Sequence, residues 1–180
     1  MLKFFSIPME VNMKKLTALC LALLMIFYAA MAAAEAFTPI TVEGDNYLNN
    51  LDTCIASIDQ IVLETNETFS FNETVGARSE EQGYCAAANG RGVEVIGGGV
   101  AQVATTIYLA IKNRSDMEVV EKSTYGSDFC EKYVPSEQDA VLADYNQAVD
   151  FRFTNLGGTV TIDLWRDESM VYCSISEADQ

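Results

Sequence analysis

Apolar residues along this chain recur at two different periods. Between positions 45 and 62 they fall at Tyr47, Leu48, Leu51, Cys54, Ile55, Ile58, Ile61 and Val62, mostly three and four apart, the spacing of one helix face. The pattern predicts an amphipathic helix over 45–62. Asp45 or Asn46 would be its N-cap, because a short polar side chain accepts from the free N–H groups of a first turn. A second run, Val100, Val103, Ile107 and Ala110, predicts a helix over 100–112. Gly97, Gly98 and Gly99 open it, so a flexible turn delivers the chain into that helix. Later the period shortens to two. Residues 148–154, 160–164 and 171–175 alternate apolar and polar, as antiparallel strands with one solvated face do. Gly157-Gly158 and Asp167-Glu168-Ser169 supply turns. Residues 69–71, 93–96 and 117–121 read as shorter strands, 74–92 as loop, and 177–180 as a frayed tail. The expected class is α+β: a mainly antiparallel sheet with two principal helices, one starting at the Gly97-Gly98-Gly99 turn.

The first 36 residues break this pattern. Lys14 and Lys15 precede an apolar run over 16–30 that is short for a membrane span. Ala34-Glu35-Ala36 gives the small-x-small signature of a cleavage site. The expectation is a signal peptide over 1–36, cleaved after Ala36, and a single domain over 37–180. The protein would then be exported, extracellular or in the cell envelope, and membrane-attached only if the segment is retained. Lys and Arg number 11 against 26 Asp and Glu, a formal net charge of −15. This argues against nucleic acid as a partner, since its affinity rests on cations meeting phosphates, and against anionic lipid. Cys54, Cys85, Cys130 and Cys173 follow the signal. An even number in an exported domain predicts two disulfides, with three pairings open. The chain has no His and no Cys-x-x-Cys, so neither a metal site nor a cofactor is expected.

Candidate chemistry concentrates at the glycine turn. A helix start carries unpaired N–H groups that attract a carboxylate or phosphate. Its first turn here holds Ala101, Gln102 and Ala104, none of them a nucleophile. Gln102 can meet a peptide amide. Thr105 and Thr106 either line a ligand cradle or bond back to the preceding turn. Arg78 is suited to hold a carboxylate, a ligand's or that of an internal partner such as Glu80. The candidate ligand-binding residues are therefore Arg78, Gly97, Gly98, Gly99, Gln102, Thr105 and Thr106, and no catalytic residue is assigned. Glu80, Glu81, Asp139, Asp144 and Asp150 are carboxylates that would serve glycoside hydrolysis if two faced each other across a cleft.

The segment Gly97-Gly98-Gly99-Val100-Ala101-Gln102-Val103-Ala104-Thr105-Thr106-Ile107-Tyr108 resembles the central motif of VanW-like proteins, bacterial cell-envelope proteins named from a glycopeptide-resistance cluster. Phe69-Ser70-Phe71-Asn72, Val75-Gly76-Ala77-Arg78 and Gly83-Tyr84 resemble the family's upstream block. Val119-Val120-Glu121-Lys122, Tyr133-Val134-Pro135 with Asp139-Ala140, and residues 150–155 resemble its downstream block. The likeness runs over roughly residues 46–165 in the family's order. It departs at Ala101, where the family usually has Cys, at Ala104, where it usually has Ser, and near Tyr125, where it commonly shows His. The resemblance implies an envelope protein whose ligand is cell-wall peptide or glycan. The departures remove both partners of a Cys/His pair. The expected function is therefore a non-catalytic binding module. The alternatives are a wall-directed enzyme using carboxylates or Thr residues, and a secreted structural or interaction module without a small ligand.

Overall fold

A computed structural model describes residues 36–130 and 133–178. The segment on which the export expectation rests, residues 1–35, lies outside the described residues. Within them the chain forms eleven strands and three α-helices. Strand β1 (Ala36–Pro39) precedes helix α1 (Asp45–Ile58). Strands β2 (Ile61–Leu63) and β3 (Thr68–Ser70) lead to the short helix α2 (Phe71–Val75). The hairpin β4 (Ala86–Ala88) and β5 (Glu94–Ile96) leads into helix α3 (Val100–Ile111). Then come β6 (Met117–Glu121), β7 (Ser123–Thr124), β8 (Val141–Leu142), β9 (Arg152–Asn155), β10 (Val160–Arg166) and β11 (Met170–Glu177). Every pairing is antiparallel: a four-stranded sheet β1-β11-β10-β2, a three-stranded sheet β3-β9-β6, and the hairpins β4-β5 and β7-β8. The α+β class with a predominant antiparallel sheet and two main helices stands.

Helix α1 is shorter than its pattern predicts. The chain leaves helical geometry at Asp59 (ψ 135°), and Gln60 takes a positive φ of 65°. Ile61 and Val62 therefore continue the apolar run as β2, paired with β10. The N-cap is Gly44, one residue before Asp45. Phe71, read as the end of a strand, instead opens α2, because the Ser70 Oγ accepts from the Glu73 N–H at 3.1 Å and caps a first turn. The presumed loop 74–92 holds the end of α2, a 3₁₀ turn at Glu80–Gln82 and strand β4. Strand β1 had no counterpart in the sequence reading.

Helix α3 is the centre of the fold. It rests on β1 and β11 and touches α1, β8 and the strands' inner face, and ten of its twelve residues are buried. A helix enclosed this fully must satisfy its polar side chains internally. Gln102 does so: its Oε1 accepts from the Tyr47 hydroxyl at 2.8 Å, and its Nε2 donates to Thr38 Oγ1 at 3.0 Å and to the Pro39 carbonyl at 2.9 Å. Thr38 and Thr106 share a 2.7 Å hydroxyl contact. One buried network thus fixes β1, α1 and α3 together.

The entry to α3 is held as tightly. Asn50, fully buried on α1, donates from Nδ2 to the carbonyls of Cys85 (2.9 Å) and Gly98 (2.8 Å), and its Oδ1 accepts from the Cys85 N–H at 2.8 Å. Gly97 and Gly99 take φ of 76° and 100°. Gly98 is glycine for another reason: a Cβ there would stand 1.9 Å from the Ala87 carbonyl oxygen. No helix among the described residues is long and apolar enough to cross a membrane.

The expected disulfides are a correction. No bridge joins any two of Cys54, Cys85, Cys130 and Cys173. Cys54 and Cys173 are enclosed in the core, on α1 and β11. Cys130 is exposed beside Gly90.

Gly98→Ala should lower the unfolding free energy by about 2 kcal/mol or more, because the backbone of β4 blocks the added methyl. Gly158→Ala, which meets nothing within 4 Å, should change it by less than about 0.5 kcal/mol. Urea titrations of the two variants compare them directly, and equal effects would contradict the tight contact.

Candidate functional site

The glycine turn, the β4-β5 hairpin and the segment after β8 enclose a cleft of about 250 Å³. Gly97, Gly99, Val100 and Ala101 form one wall, which is the start of α3. Leu142, Ala143, Asp144 and Tyr145 form another, with Tyr125 between them. Arg78 and Arg91 are its two cations. The turn is held from behind, since the Gly97 N–H donates to the Cys85 carbonyl (3.0 Å) and the Gly98 N–H to that of Val95 (3.1 Å).

Arg78 enters from the loop after α2. Its Nη1 donates to Asn72 Oδ1 at 2.7 Å and to the Gly76 carbonyl at 3.1 Å. The guanidinium lies over Phe71 (5.4 Å) and Tyr145 (6.0 Å). Asn72 is itself placed by Asp150, which takes the Asn72 N–H at 2.9 Å and the Ser70 hydroxyl at 2.6 Å. Arg78 has no carboxylate at ion-pair distance among the described residues. Glu80, the example given of an internal partner, sits on an exposed turn and does not pair with Arg78. Its Nη2 is closed off from solvent and has no hydrogen-bond partner, as is the hydroxyl of Tyr84. Both lie under Gly97, whose absent Cβ would be 2.6 Å from that of Arg78 and 3.7 Å from the Tyr84 ring. Burial lowers the Arg78 pKa, raises that of Tyr84, and pushes the Cys54 thiol up to about 12, with the Arg78 charge opposing this last shift.

Arg91 sits at the mouth on the hairpin turn, where Asn89 Oδ1 accepts its N–H at 2.9 Å. Its guanidinium lies 5.5 Å over the Tyr125 ring and 3.7 Å from the exposed Asp128. Asp144 is occupied by its own turn, accepting from the N–H groups of Asn146 (3.0 Å) and Gln147 (3.1 Å).

The seven candidate ligand residues divide. Arg78, Gly97 and Gly99 line the cleft. Gly98 lies behind it, against β4. Gln102, Thr105 and Thr106 are completely buried and turned into the core. Thr105 Oγ1 donates to the Ala101 carbonyl (2.8 Å) and accepts the Val141 N–H (2.9 Å), and Thr106 Oγ1 donates to the Gln102 carbonyl (2.9 Å). Of the five acidic candidates only Asp144 reaches the cleft. Asp139 is paired with Lys112 at 2.9 Å, and Asp150 supports Asn72. Sequence reasoning missed Arg91, Asn89 and Tyr145. The Gly92 N–H donates to the Asn89 carbonyl and closes a tight turn inside the region read as loop, and nothing in the order of residues said that this turn faces the glycines. Among the described residues no group of three His, Cys, Asp or Glu is placed to hold a metal ion.

A family model described as "VanW like protein" matches residues 46–176. The chain is also 32% identical over 133 residues to "Uncharacterized protein YoaR" of Bacillus subtilis (strain 168). That match covers 67% of this chain and 43% of the relative, so the chain spans less than half the length of the curated relative it matches. No solved structure matches the chain.

The buried thiol gives this region a pH signature. Because the folded pKa of Cys54 lies above its ordinary value of 9.0, the stability tied to this thiol is intact below pH 9 and is lost as pH rises from 9 to about 12. Unfolding free energy should fall over that window, and less steeply in Cys54→Ala. Urea titrations at stepped pH measure it; identical slopes in both proteins would contradict the burial of this thiol.

Proposed function

The chain belongs to the VanW-like family, and on that premise we propose that it is an exported cell-envelope protein whose cleft binds cell-wall peptide or glycan without catalysis. The observation that carries the reading is the convergence of Ala101 and Tyr125 on one cleft. Ala101 stands where the resemblance places Cys, and Tyr125 stands near the place where the family commonly shows His; both line a single cavity at the start of a buried helix. The cavity is formed, but the two side chains supply neither a thiolate nor an imidazole. The rigid turn, the helix start and the arginines remain, and these are binding elements.

The enzyme alternative draws little from the geometry. Glycoside hydrolysis by a carboxylate pair needs two such groups across the cleft, and only Asp144 lines it. The hydroxyls of Thr105 and Thr106 sit in closed hydrogen bonds. The module without a small ligand would suit a helix start fully covered by other elements, whereas Gly97, Gly99 and Ala101 open onto the cleft. Export rests on the pattern of residues 1–36. Since Ala36 pairs with Cys173 in β1, a cut after Ala36 leaves the strand to begin at Phe37.

Purified domain mixed with intact wall sacculi should sediment with them and release no soluble wall fragments. Ala101→Cys should behave as wild type, because no His stands by to activate the thiol. Fragment release by the wild-type protein would overturn the non-catalytic reading, and failure to sediment would overturn wall binding.

A further inference from the structure

We propose that the cleft captures the free carboxylate end of a short peptide, with Arg91 and Arg78 drawing the carboxylate and the apolar wall taking the terminal side chain. This rests on the wall-binding reading and narrows its ligand from peptide or glycan to a carboxylate terminus.

The first argument is charge. The protein carries a formal net charge of −15, with only 11 Lys and Arg residues. Three other cations hold a carboxylate at hydrogen-bond distance, Lys112 with Asp139, Arg114 with Asp116 and Arg166 with Asp52, while Lys122 donates to the Gln138 carbonyl. The two arginines of the cleft are not matched in this way. Arg78 hydrogen-bonds only neutral acceptors, Asn72 and Gly76, and its Nη2 is closed off from solvent, so it acts on an anion through its charge. Arg91 has a single exposed carboxylate at 3.7 Å, too distant for a hydrogen bond. The cleft's own carboxylate, Asp144, is satisfied by Asn146 and Gln147. The lining thus holds two guanidinium groups against one carboxylate, Asp144, with the exposed Asp128 outside it at 3.7 Å from Arg91, and a concave site with low-dielectric walls focuses that excess of positive charge on an anion.

The second argument is shape and polarity. About 250 Å³ is below the usual range for drug-sized ligands and suits one terminal residue. Val100, Leu142, Ala143 and Tyr145 provide an apolar lining beside the arginines. An anion joined directly to a small apolar group matches such a wall. A bare phosphate leaves that lining wet. A neutral sugar leaves the arginines unmet.

The test uses N-acetyl-dialanine as the free acid, its C-terminal amide, and inorganic phosphate, titrated into the protein by calorimetry at low and moderate salt. The acid should bind, the amide should bind at least tenfold more weakly, and added salt should weaken the acid. Arg91→Gln, on an exposed turn, should reduce acid binding at least fivefold with the unfolding midpoint unchanged. Equal binding of acid and amide, or no binding of either, overturns the inference. Phosphate binding as tightly as the acid overturns it too, since the site would then be a general anion site. Sedimentation of the same preparation with sacculi separates the two levels of the argument. Retained wall binding without carboxylate dependence refutes only the carboxylate terminus, and loss of both refutes the wall-binding reading with it.

Discussion

The fold depends on starting a helix inside the protein. Helix α3 begins where a tight turn is pressed against β4, so closely that the Gly98 Cα has no room for a Cβ beside the Ala87 carbonyl. A helix start in such a place has free N–H groups and a flanking carbonyl that water cannot reach on the packed side. Asn50 meets the Gly98 carbonyl and both backbone groups of Cys85 from α1. One turn further on, Gln102 ties α3 to Tyr47 and β1. Hydrogen bonds that would each add about 1 kcal/mol net are costly to break here, because every broken one strands a dry partner.

The same constraint makes the cleft. With the turn locked behind by Cys85, Val95 and Asn50, its outer side is rigid and open. The hairpin that receives Gly98 also carries Arg91 to the mouth. The loop after α2, fixed by Asn72 on Asp150, carries Arg78 under Gly97. The elements that stabilise α3 thus deliver both cations to its start. A preformed site of this kind spends little conformational entropy on binding. It also means that the three glycines serve packing and cleft together, so substitutions at them cannot separate stability from binding, whereas Arg91 at the rim can.

Much of this was legible in the sequence where a period runs long enough. The two helices, the alternation of β10 and β11 and the glycine entry into α3 follow from spacing alone; β9 starts only at Arg152, because Ala148, inside the predicted 148–154, takes a positive φ of 55° in a turn. Helix α1 was read too long because Ile61 and Val62 keep the apolar phase, and nothing in that phase announces the positive φ of Gln60. Strand β1 is four residues ending in Pro39, too short to show alternation. At the site, Arg78 and the outer glycines were legible as a cation and a turn. Gln102, Thr105 and Thr106 were read as ligand candidates because they follow the glycine turn at the start of the helix. Their burial follows from β1 and β8 closing over α3, a long-range arrangement that local pattern does not carry. The even number of cysteines suggested bridges, but counting them carries no information on the distance between α1 and β11.

The most direct test of the account is amide NMR of the labelled domain titrated with soluble fragments of digested cell wall. The account predicts shift changes concentrated at Gly97, Gly99, Ala101, Arg91 and Tyr145, saturating together. Changes confined to the outer face of the four-stranded sheet, around Phe37, Trp165 and Tyr172, or no changes at saturating fragment, would contradict it.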